Sequence, residues 1–390
     1  MAVLGGTPAV LGGTYQATAS GAIANGDPVK INSNGTVSKA IGVDGASMYC
    51  VTGVQPDAVY HYILKTPFDI MSASFHETRA IGFQEFTPTG ITFNNDGTKF
   101  FLSGESGDDI NEYAVSSPYD LTTASFTDVF SVAGQENLPR KIAFNDDGSK
   151  FFLTGRTGDD VNEYTLSTNY DISTASFVDS FDVSGKENQP NGLAFNTDGT
   201  KMFVSGQGSK QIHEYALSTG FDVSTASYTD YGNIAATGYY PTGLAFSTDG
   251  TKVFHGDDLM RCVVQYTLGT GFDISTIDLT TAQVLLANTR TPASGMSTST
   301  FLFTDICFGD GPPPQASYIG LASAAASDGA TATIQVMGSI DDAASGLTAG
   351  MPVYVSLTGT LTSTRTPLIA GTALTASKVL IKGAYSELFT

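Results

Sequence analysis

Short runs of alternating apolar and polar residues, separated by turn-forming residues, fill the middle of the chain. Between positions 139 and 189 four such runs follow one another, at residues 141–144, 150–154, 161–167 and 176–183. Alternation with a period of two predicts β-strands, and no window keeps a 3.6-residue apolar period long enough for a substantial helix. The segment therefore encodes four antiparallel strands.

The same segment recurs every 51 residues without slippage. The period is carried by prolines, tyrosines and Asp-Gly pairs; the prolines are Pro88, Pro139, Pro190, Pro241 and Pro292. A fixed period of this length with four strands per repeat is typical of a β-propeller blade. One blade cannot bury both of its faces, so blades stack radially and protect each other's edges. Each Asp-Gly pair, such as Asp147-Gly148, predicts a tight hairpin with φ above zero at both turn positions.

The number of blades follows from the complete and partial repeats. Four full units run from Pro88 to about residue 290, residues 44–75 match the later part of a unit, and residues 292–303 restart one. We predict a closed five-bladed propeller over residues 41–308. In this prediction the last segment donates the first strand to the blade that begins near Ile41. A six-bladed ring with a degenerate blade at 292–308 is the alternative.

The two ends of the chain differ in composition from the repeats. Residues 1–40 and 312–390 are rich in Ala, Gly, Ser and Thr and poor in aromatic residues. The pattern at residues 26–37 returns at 350–361, as strand, turn and strand. We predict that the ends form one small split β-barrel or sandwich, that the propeller is inserted into it, and that residues 309–314 are a linker. The predicted fold class is all-β.

Charge and cysteine usage exclude several functions. The formal net charge is −20 and the isoelectric point is about 4.3, which argues against partners such as nucleic acid or anionic membrane surfaces. No apolar run approaches the ~18 residues of a membrane span, and the first residues make a poor signal peptide, so we expect no membrane insertion. Cys50, Cys262 and Cys307 form no CxxC motif and are expected to be free buried thiols. A Cys50–Cys262 disulfide is a minor alternative.

No recognised catalytic motif is present. The four histidines, His61, His76, His213 and His255, form no HExxH pattern. Acidic residues recur in register from blade to blade, which favours a structural role such as a cross-strand hydrogen bond over a glycosidase pair; these are Glu112, Glu163 and Glu214. Acidic pairs recur in equivalent loops at 108–109 and 159–160, and residues 145–148 match part of a calcium loop but lack its distant glutamate and alternating oxygen ligands. Turn formation is the favoured interpretation, and Ca²⁺ binding by the acidic loops stays open. We therefore expect no enzymatic activity, no metal and no cofactor.

One rim of the propeller varies between repeats. The Asp-Gly loops barely change, whereas the loops between the second and third strands, and between one blade and the next, do change. A site for an asymmetric ligand needs different residues around the ring, so this rim is the candidate binding face; drift of unconstrained surface loops is an equally weighted alternative. The candidate ligand-binding residues are Tyr239, Tyr240, Arg156, Lys186 and Lys210.

Two resemblances suggest a biological setting. The stretch TASGAIANGDPV at residues 18–29, together with glycine-rich strands at 318–350 and 369–374, resembles small β domains of tailed-bacteriophage virion proteins, including head-decoration and fibre proteins. The blades resemble propellers with a P-x-G-[IL]-A-F-x-x-D-G-T-K motif, present at residues 241–252. That motif indicates a fold and not a function.

These resemblances imply a structural protein on the phage particle surface. It would be a capsid decoration or fibre protein, anchored to other virion proteins by its split domain. Its propeller would bind a host-surface glycan or cover the shell. A homo-oligomer is expected, with a trimer as one option. The alternatives are a virion-associated glycan-degrading enzyme and a bacterial surface adhesion module; head or tail location stays open.

Overall fold

The computed structural model describes residues 43–286 except 54–56, 82–83, 117 and 236–239, residues 303–311, and the short strands near both ends. It divides the chain into two compact units, residues 44–309 and residues 1–43 with 310–390. Three strands come first along the chain: β1 (Thr14–Thr18), β2 (Pro28–Ile31) and β3 (Val37–Lys39).

The unit of residues 44–309 is an all-β, five-bladed propeller built from four-stranded antiparallel sheets. Blade 1 contains β4 (Val43–Thr52), β5 (Ala58–Leu64) and β6 (Ala73–Ala80), and blade 2 contains β7 (Pro88–Phe93), β8 (Lys99–Gly104), β9 (Asp109–Val115) and β10 (Ala124–Ser131). Blade 3 contains β11 (Pro139–Phe144), β12 (Lys150–Gly155), β13 (Asp160–Leu166) and β14 (Ala175–Asp182). Blade 4 contains β15 (Pro190–Phe195), β16 (Lys201–Gly206), β17 (Gln211–Leu217) and β18 (Ala226–Asn233). Blade 5 contains β19 (Pro241–Phe246), β20 (Lys252–Asp257), β21 (Cys262–Leu268) and β22 (Ile277–Leu286).

The ring closes with a strand from the far end of the unit. Strand β23 (Phe303–Gly311) lies beside β4 and completes blade 1, so the six-bladed alternative is wrong. The closing strand was predicted at residues 292–303, and the structure has it later in the chain, at Phe303–Gly311. Thr304 donates to the carbonyl of Pro88 (2.9 Å), as Thr89 donates to the carbonyl of Pro139 (2.6 Å). Thr304 and Thr89 are therefore equivalent. A strict 51-residue period would put the equivalent of Thr89 at residue 293, so the last repeat is longer than the others before β23 begins.

The core lies between neighbouring blades. Successive phenylalanines on β8 point to opposite faces, so Phe100 packs among residues of blade 1 and Phe101 packs among residues of blade 3. Within a blade, Phe100 stacks on Tyr113 with ring centroids 4.5 Å apart. Phe151 and Phe152 repeat this pattern in blade 3, and Met202-Phe203 and Val253-Phe254 take the same positions in blades 4 and 5. Because each strand fills two cores, one blade alone could not bury its surface.

The Asp-Gly turns differ from the prediction. Gly148 has a φ of 71°, but Asp147 is not among the residues with positive φ, so the expectation of two such residues is wrong. The turn is longer: the Gly148 amide donates to the Asn145 carbonyl (3.1 Å), and the Ser149 amide donates to Asp147 Oδ1 (2.9 Å). A side chain at Gly148 would overlap the ring of Tyr170. Glycine is required here by both the backbone and the ring.

Helical structure in the described residues is limited to three-residue 3₁₀ turns. Each turn begins at an aspartate that accepts a hydrogen bond from a backbone amide two residues later, as Asp171 does from Ser173 (3.1 Å). No helix among the described residues has the length and apolar character that crossing a bilayer would require. Cys50, Cys262 and Cys307 are free and buried, so the alternative Cys50–Cys262 disulfide is wrong.

The other unit contains two sheets. Its later strands are β24 (Tyr318–Ala322), β25 (Thr331–Gln335), β26 (Ile340–Asp341), β27 (Pro352–Val355), β28 (Leu361–Thr362), β29 (Ile369–Thr375) and β30 (Lys378–Ile381). One sheet has the order β1-β25-β24-β2-β3 and the other the order β26-β30-β29-β27-β28. Strands from both ends of the chain therefore share one sheet, with Thr14 opposite Gln335. Part of the segment predicted as a linker, residues 309–311, belongs to β23.

Candidate functional site

The five innermost strands, β23, β7, β11, β15 and β19, surround the propeller axis. At the rim where each blade joins the next, each blade contributes two residues near this axis. One residue directly follows the second strand, and the other is on the innermost strand. These ten residues are named here the axial mouth. The loop set is Gly53, Glu105, Arg156, Gln207 and Asp258. The inner-strand set is Thr304, Thr89, Arg140, Asn191 and Thr242.

Charged and polar side chains connect three blades across the mouth. Arg140 of blade 3 forms an ion pair with Glu105 of blade 2. Arg156 donates from Nε to Asn191 Oδ1 (2.9 Å) and from a terminal nitrogen to Gln207 Oε1 (2.8 Å), both on blade 4. The loop set follows directly after the second strand of each blade, which is why these side chains converge.

The charged side chains of the mouth are partly shielded from solvent, and this burial shifts their pKa values. Burial, with repulsion from Arg156, lowers the pKa of Arg140 to about 10. Burial also lowers the pKa of Arg156. On blade 5, burial and the neighbouring Asp257 raise the pKa of Asp258, although both arginines oppose that shift. Among the described residues, Nε of Arg140 and Oδ1 of Asp258 are buried without a hydrogen-bond partner. Eight other buried side-chain atoms of the described residues, Asp305 Oδ1 among them, also lack a partner, so this feature alone does not mark a ligand site.

A buried ion pair lies one position deeper along the inner strands. Lys141 Nζ contacts Asp305 Oδ2 (2.6 Å) and also donates to the carbonyls of Ile91 (2.9 Å) and Ile306 (3.1 Å). The equivalent residues of the other blades are glycines, and a side chain on Gly243 would overlap Asp305. Burial raises the pKa of Asp305. The glycines thus make room for two long side chains that tie the closing strand to blade 3.

A buried glutamate shapes the loops of this rim. Glu136 accepts hydrogen bonds from the backbone amides of Leu138 (2.6 Å), Thr157 (3.0 Å) and Gly158 (3.1 Å). Gly155 leaves the space that this carboxylate fills, because a side chain there would overlap it. Glu85 with Gly104, and Glu187 with Gly206, repeat the arrangement.

Blade 5 reverses the same arrangement. The sequence has Gly238 at the glutamate position and Asp257 at the glycine position. Asp257 accepts from the amides of Tyr240 (3.0 Å) and Met260 (2.7 Å). In each of these four blades a buried carboxylate fixes the loop, while the residues above it differ. The backbone of this rim is therefore held in the same way in four blades, while its outer side chains vary.

The candidate ligand-binding residues do not all meet. Arg156 lies in the mouth, and Tyr240, which is 38% exposed, directly precedes β19 on the same rim. Lys186 instead places its Nζ over the ring of Tyr228, 4.0 Å from the ring centroid. Tyr228 is on β18, the outermost strand of blade 4. Lys210 occupies a left-handed turn position with φ of 57°. Tyr239 lies outside the described residues.

Sequence reasoning missed Arg140, Lys141 and Asp305. A signal for Lys141 was present, since a lysine stands where Gly90, Gly192 and Gly243 stand in other repeats. No comparable signal marked Asp305, because the lengthened last repeat removes it from the 51-residue register.

The recurring glutamates join neighbouring blades. Glu163 pairs with Lys150 (2.6 Å) and accepts from the amide of Val223 (3.0 Å), which begins the 3₁₀ turn of the next blade. Glu112 and Glu214 make the same contacts. This geometry agrees with a structural role for the three residues.

Blade 1 replaces that contact with a Ser-His-Glu arrangement. His61 contacts Ser47 Oγ through Nε2 (2.9 Å) and Glu77 Oε1 through Nδ1 (3.2 Å). The order resembles a serine-hydrolase triad. Ser47, however, is only 1% exposed, so a substrate cannot reach its hydroxyl. Glu77 accepts from the amide of Leu121 (2.9 Å), which is the contact that Glu163 makes elsewhere. The arrangement therefore joins blade 1 to blade 2.

Comparisons with known proteins concern the fold. No protein-family model and no curated protein matches the chain. Similar solved structures include a putative 6-phosphogluconolactonase from Bacteroides fragilis, with 11% identity, a TM-score of 0.43, and coverage of 78% of this chain and 100% of that one. A second, from Bacteroides uniformis, has 12% identity, a TM-score of 0.39, and coverage of 66% and 78%. A periplasmic gluconolactonase from Pseudomonas aeruginosa has 14% identity, a TM-score of 0.38, and coverage of 66% and 73%.

These names contradict one prediction from the sequence. We expected no enzymatic activity because no catalytic motif was found, yet two similar structures are named putative 6-phosphogluconolactonases and one is named a periplasmic gluconolactonase. We withdraw that expectation. Sequence motifs could not exclude catalysis, because a propeller site is assembled from residues of different blades that are far apart in sequence. At these identities the likeness gives this chain no substrate.

Proposed function

We propose that this chain is a surface protein of a tailed-phage particle whose propeller binds an acidic host-surface glycan at the axial mouth. The observation that carries the binding proposal is the pair of half-buried arginines near Asp258. The chain as a whole is strongly acidic, whereas the mouth sets two arginines against Glu105 and Asp258, so its formal charge is zero.

The ligand class follows from the chemistry of the mouth. A guanidinium group binds a carboxylate through two parallel hydrogen bonds, and partial burial strengthens such a contact. The carboxylate of Asp258 and the amide of Gln207 suit sugar hydroxyls. The exposed ring of Tyr240 offers a flat apolar surface to one face of a sugar. A saccharide bearing a carboxylate combines all three features.

Anchoring is assigned to the other unit. Strand β1 from the beginning of the chain pairs with β25 from its end, and this pairing supports a single domain into which the propeller is inserted. We propose that this domain is a split β-barrel or sandwich that contacts capsid or tail proteins, as the resemblance at residues 18–29 suggests. Copies of the chain would assemble as a homo-oligomer on the particle.

Binding is tested by titrating the full chain with sialylated and glucuronate-containing oligosaccharides in a calorimeter, with neutral oligosaccharides for comparison. Arg156→Ala should weaken binding by about ten- to a hundredfold, the usual effect of losing a charged hydrogen bond. Lys186→Ala removes the same charge outside the mouth and should leave the affinity unchanged. Equal loss in both variants, or equal binding of neutral sugars, would refute the proposed site.

Location is tested separately. Antibodies against the propeller should label purified phage particles, at the head or the tail. Absence from particles together with labelling of the bacterial surface would favour the adhesion module instead.

Glycan degradation is a second candidate function, favoured by Asp258. A carboxyl group whose pKa is raised by burial suits a proton donor in glycoside cleavage. The purified chain would then release reducing ends from an acidic polysaccharide. Asp258→Asn should abolish release while binding persists; release that is unchanged in this variant would exclude Asp258 as the acid.

A further inference from the structure

Three potential metal ligands meet on blade 1. His61, His76 and Glu77 each offer one ligand atom, and these atoms lie within 4.8 Å of one another. His61 is buried, Glu77 is half-buried and His76 is exposed, so the cluster opens to solvent on one side. The rings of His61 and His76 are nearly perpendicular, with centroids 5.0 Å apart. Two imidazoles and one carboxylate form a common ligand set for Zn²⁺.

At the cluster and the adjacent Ser47, blade 1 has different residues from blade 2 at four equivalent positions. In blade 2 the equivalent residues are Lys99, Glu112, Thr127 and Asp128, where Lys99 pairs with Glu112 (2.6 Å). Blade 1 has instead Ser47, His61, His76 and Glu77. The change from Thr127 to His76 introduces a ligating side chain, the changes from Glu112 to His61 and from Asp128 to Glu77 exchange one potential ligand for another, and the change from Lys99 to Ser47 removes the lysine. The carboxylate that caps the next blade thus loses the ammonium group that accompanies it elsewhere.

We propose that His61, His76 and Glu77 bind a divalent transition-metal ion of the Zn²⁺ class. The ion would occupy the space between His61 Nδ1 and Glu77, which are now in hydrogen-bond contact at 3.2 Å. Ser47 holds His61 Nε2 at 2.9 Å and so directs Nδ1 toward the ion, as outer partners of ligating histidines commonly do. The open side of the cluster leaves a fourth position for water.

The position of the cluster gives the ion a structural consequence. Glu77 also accepts from the amide of Leu121 on blade 2 (2.9 Å), and blade 1 is the blade that closes the ring. An ion here would supply the positive charge that the lysine supplies at the next three junctions. Binding should therefore stabilise the closed propeller.

The test uses the metal-stripped full chain and Co²⁺ as a spectroscopic probe. One equivalent of Co²⁺ should produce the visible absorption of a low-symmetry nitrogen–oxygen site, and Zn²⁺ should displace it and raise the melting temperature. His76→Gln should lose both effects while its melting temperature without metal stays unchanged, because the side chain is exposed.

His213→Gln is the control, since His213 lies on the third strand of blade 4, on the face opposite to the His61 position, with no ligand cluster around it in the described residues. It should bind Co²⁺ as the unmodified chain does. The proposal is overturned if the unmodified chain gives no Co²⁺ absorption, or if His76→Gln binds as tightly as the unmodified chain.

Discussion

The two rims of the propeller differ in what repeats. On the Asp-Gly rim, each blade places an aromatic ring against the turn glycine, and the partners are Phe68, Tyr119, Tyr170, Phe221 and Phe272. On the mouth rim, the buried carboxylates recur but the side chains above them change from Glu105 to Arg156 to Gln207 to Asp258. Repetition marks what every blade needs in order to fold. Variation on a fixed support marks where a ligand could distinguish one side of the axis from another.

The largest expected effect on stability comes from the buried ion pair of Lys141 and Asp305, which lies directly beneath the axial mouth. Lys141→Met leaves the Asp305 carboxylate buried without its charged partner, which costs about 3–5 kcal/mol of unfolding free energy. Urea unfolding of the full chain measures this. The double variant Lys141→Met with Asp305→Asn should recover much of the loss, because no unpaired charge remains. A double variant as unstable as the single one would show that shape and not charge holds the pair.

A smaller but clear effect is expected on the Asp-Gly rim. Gly148→Ala forces a side chain into the Tyr170 ring at a φ of 71°, and should cost about 2 kcal/mol or more. Gly185→Ala is the control, since a Cβ there meets nothing within 4 Å and φ is not positive. It should change stability by less than about 0.5 kcal/mol. Similar losses in both variants would remove the distinction drawn between the rims.

The smallest effect concerns pH on the mouth rim. Burial raises the pKa of Asp109 and Asp160 to about 6, against about 3.9 in an unfolded chain. The folded state therefore binds more protons between these values, and its stability falls as the pH rises from about 4 to 6. Asp109→Asn with Asp160→Asn should gain about 1 kcal/mol per site at pH 7, after allowance for partial exposure.

That gain should be much smaller at pH 4 and should approach zero below about pH 3, where both aspartates are largely protonated in either state. Melting temperatures across this pH range measure the effect. A gain of equal size at pH 4 and pH 7 would mean that the two carboxyl groups are not the titrating cause.

Much of the fold could be predicted because its causes are local. Alternation along each run, and glycine at fixed turn positions, are set by near neighbours in the chain, and they recur at a constant spacing. Five blades, four strands in each and closure by a strand from the far end were therefore predictable. The turn conformation was not, because it also involves Asn145 and Ser149, whose hydrogen bonds with Gly148 and Asp147 make the turn longer than the Asp-Gly pair predicts.

The candidate site depended on the closed ring. Lys141 and Asp305 are 164 positions apart, and Arg156 reaches Asn191 and Gln207 on the next blade. The 51-residue period places Arg156 and Gln207 at equivalent positions but does not say which side chains touch, and the lengthened last repeat displaces Asp305 from the register. The sequence by itself determined the four strands of a blade, the 51-residue period and the number of blades. The tertiary structure decided which charges face each other, because only closure of the ring brings the innermost strands of different blades together.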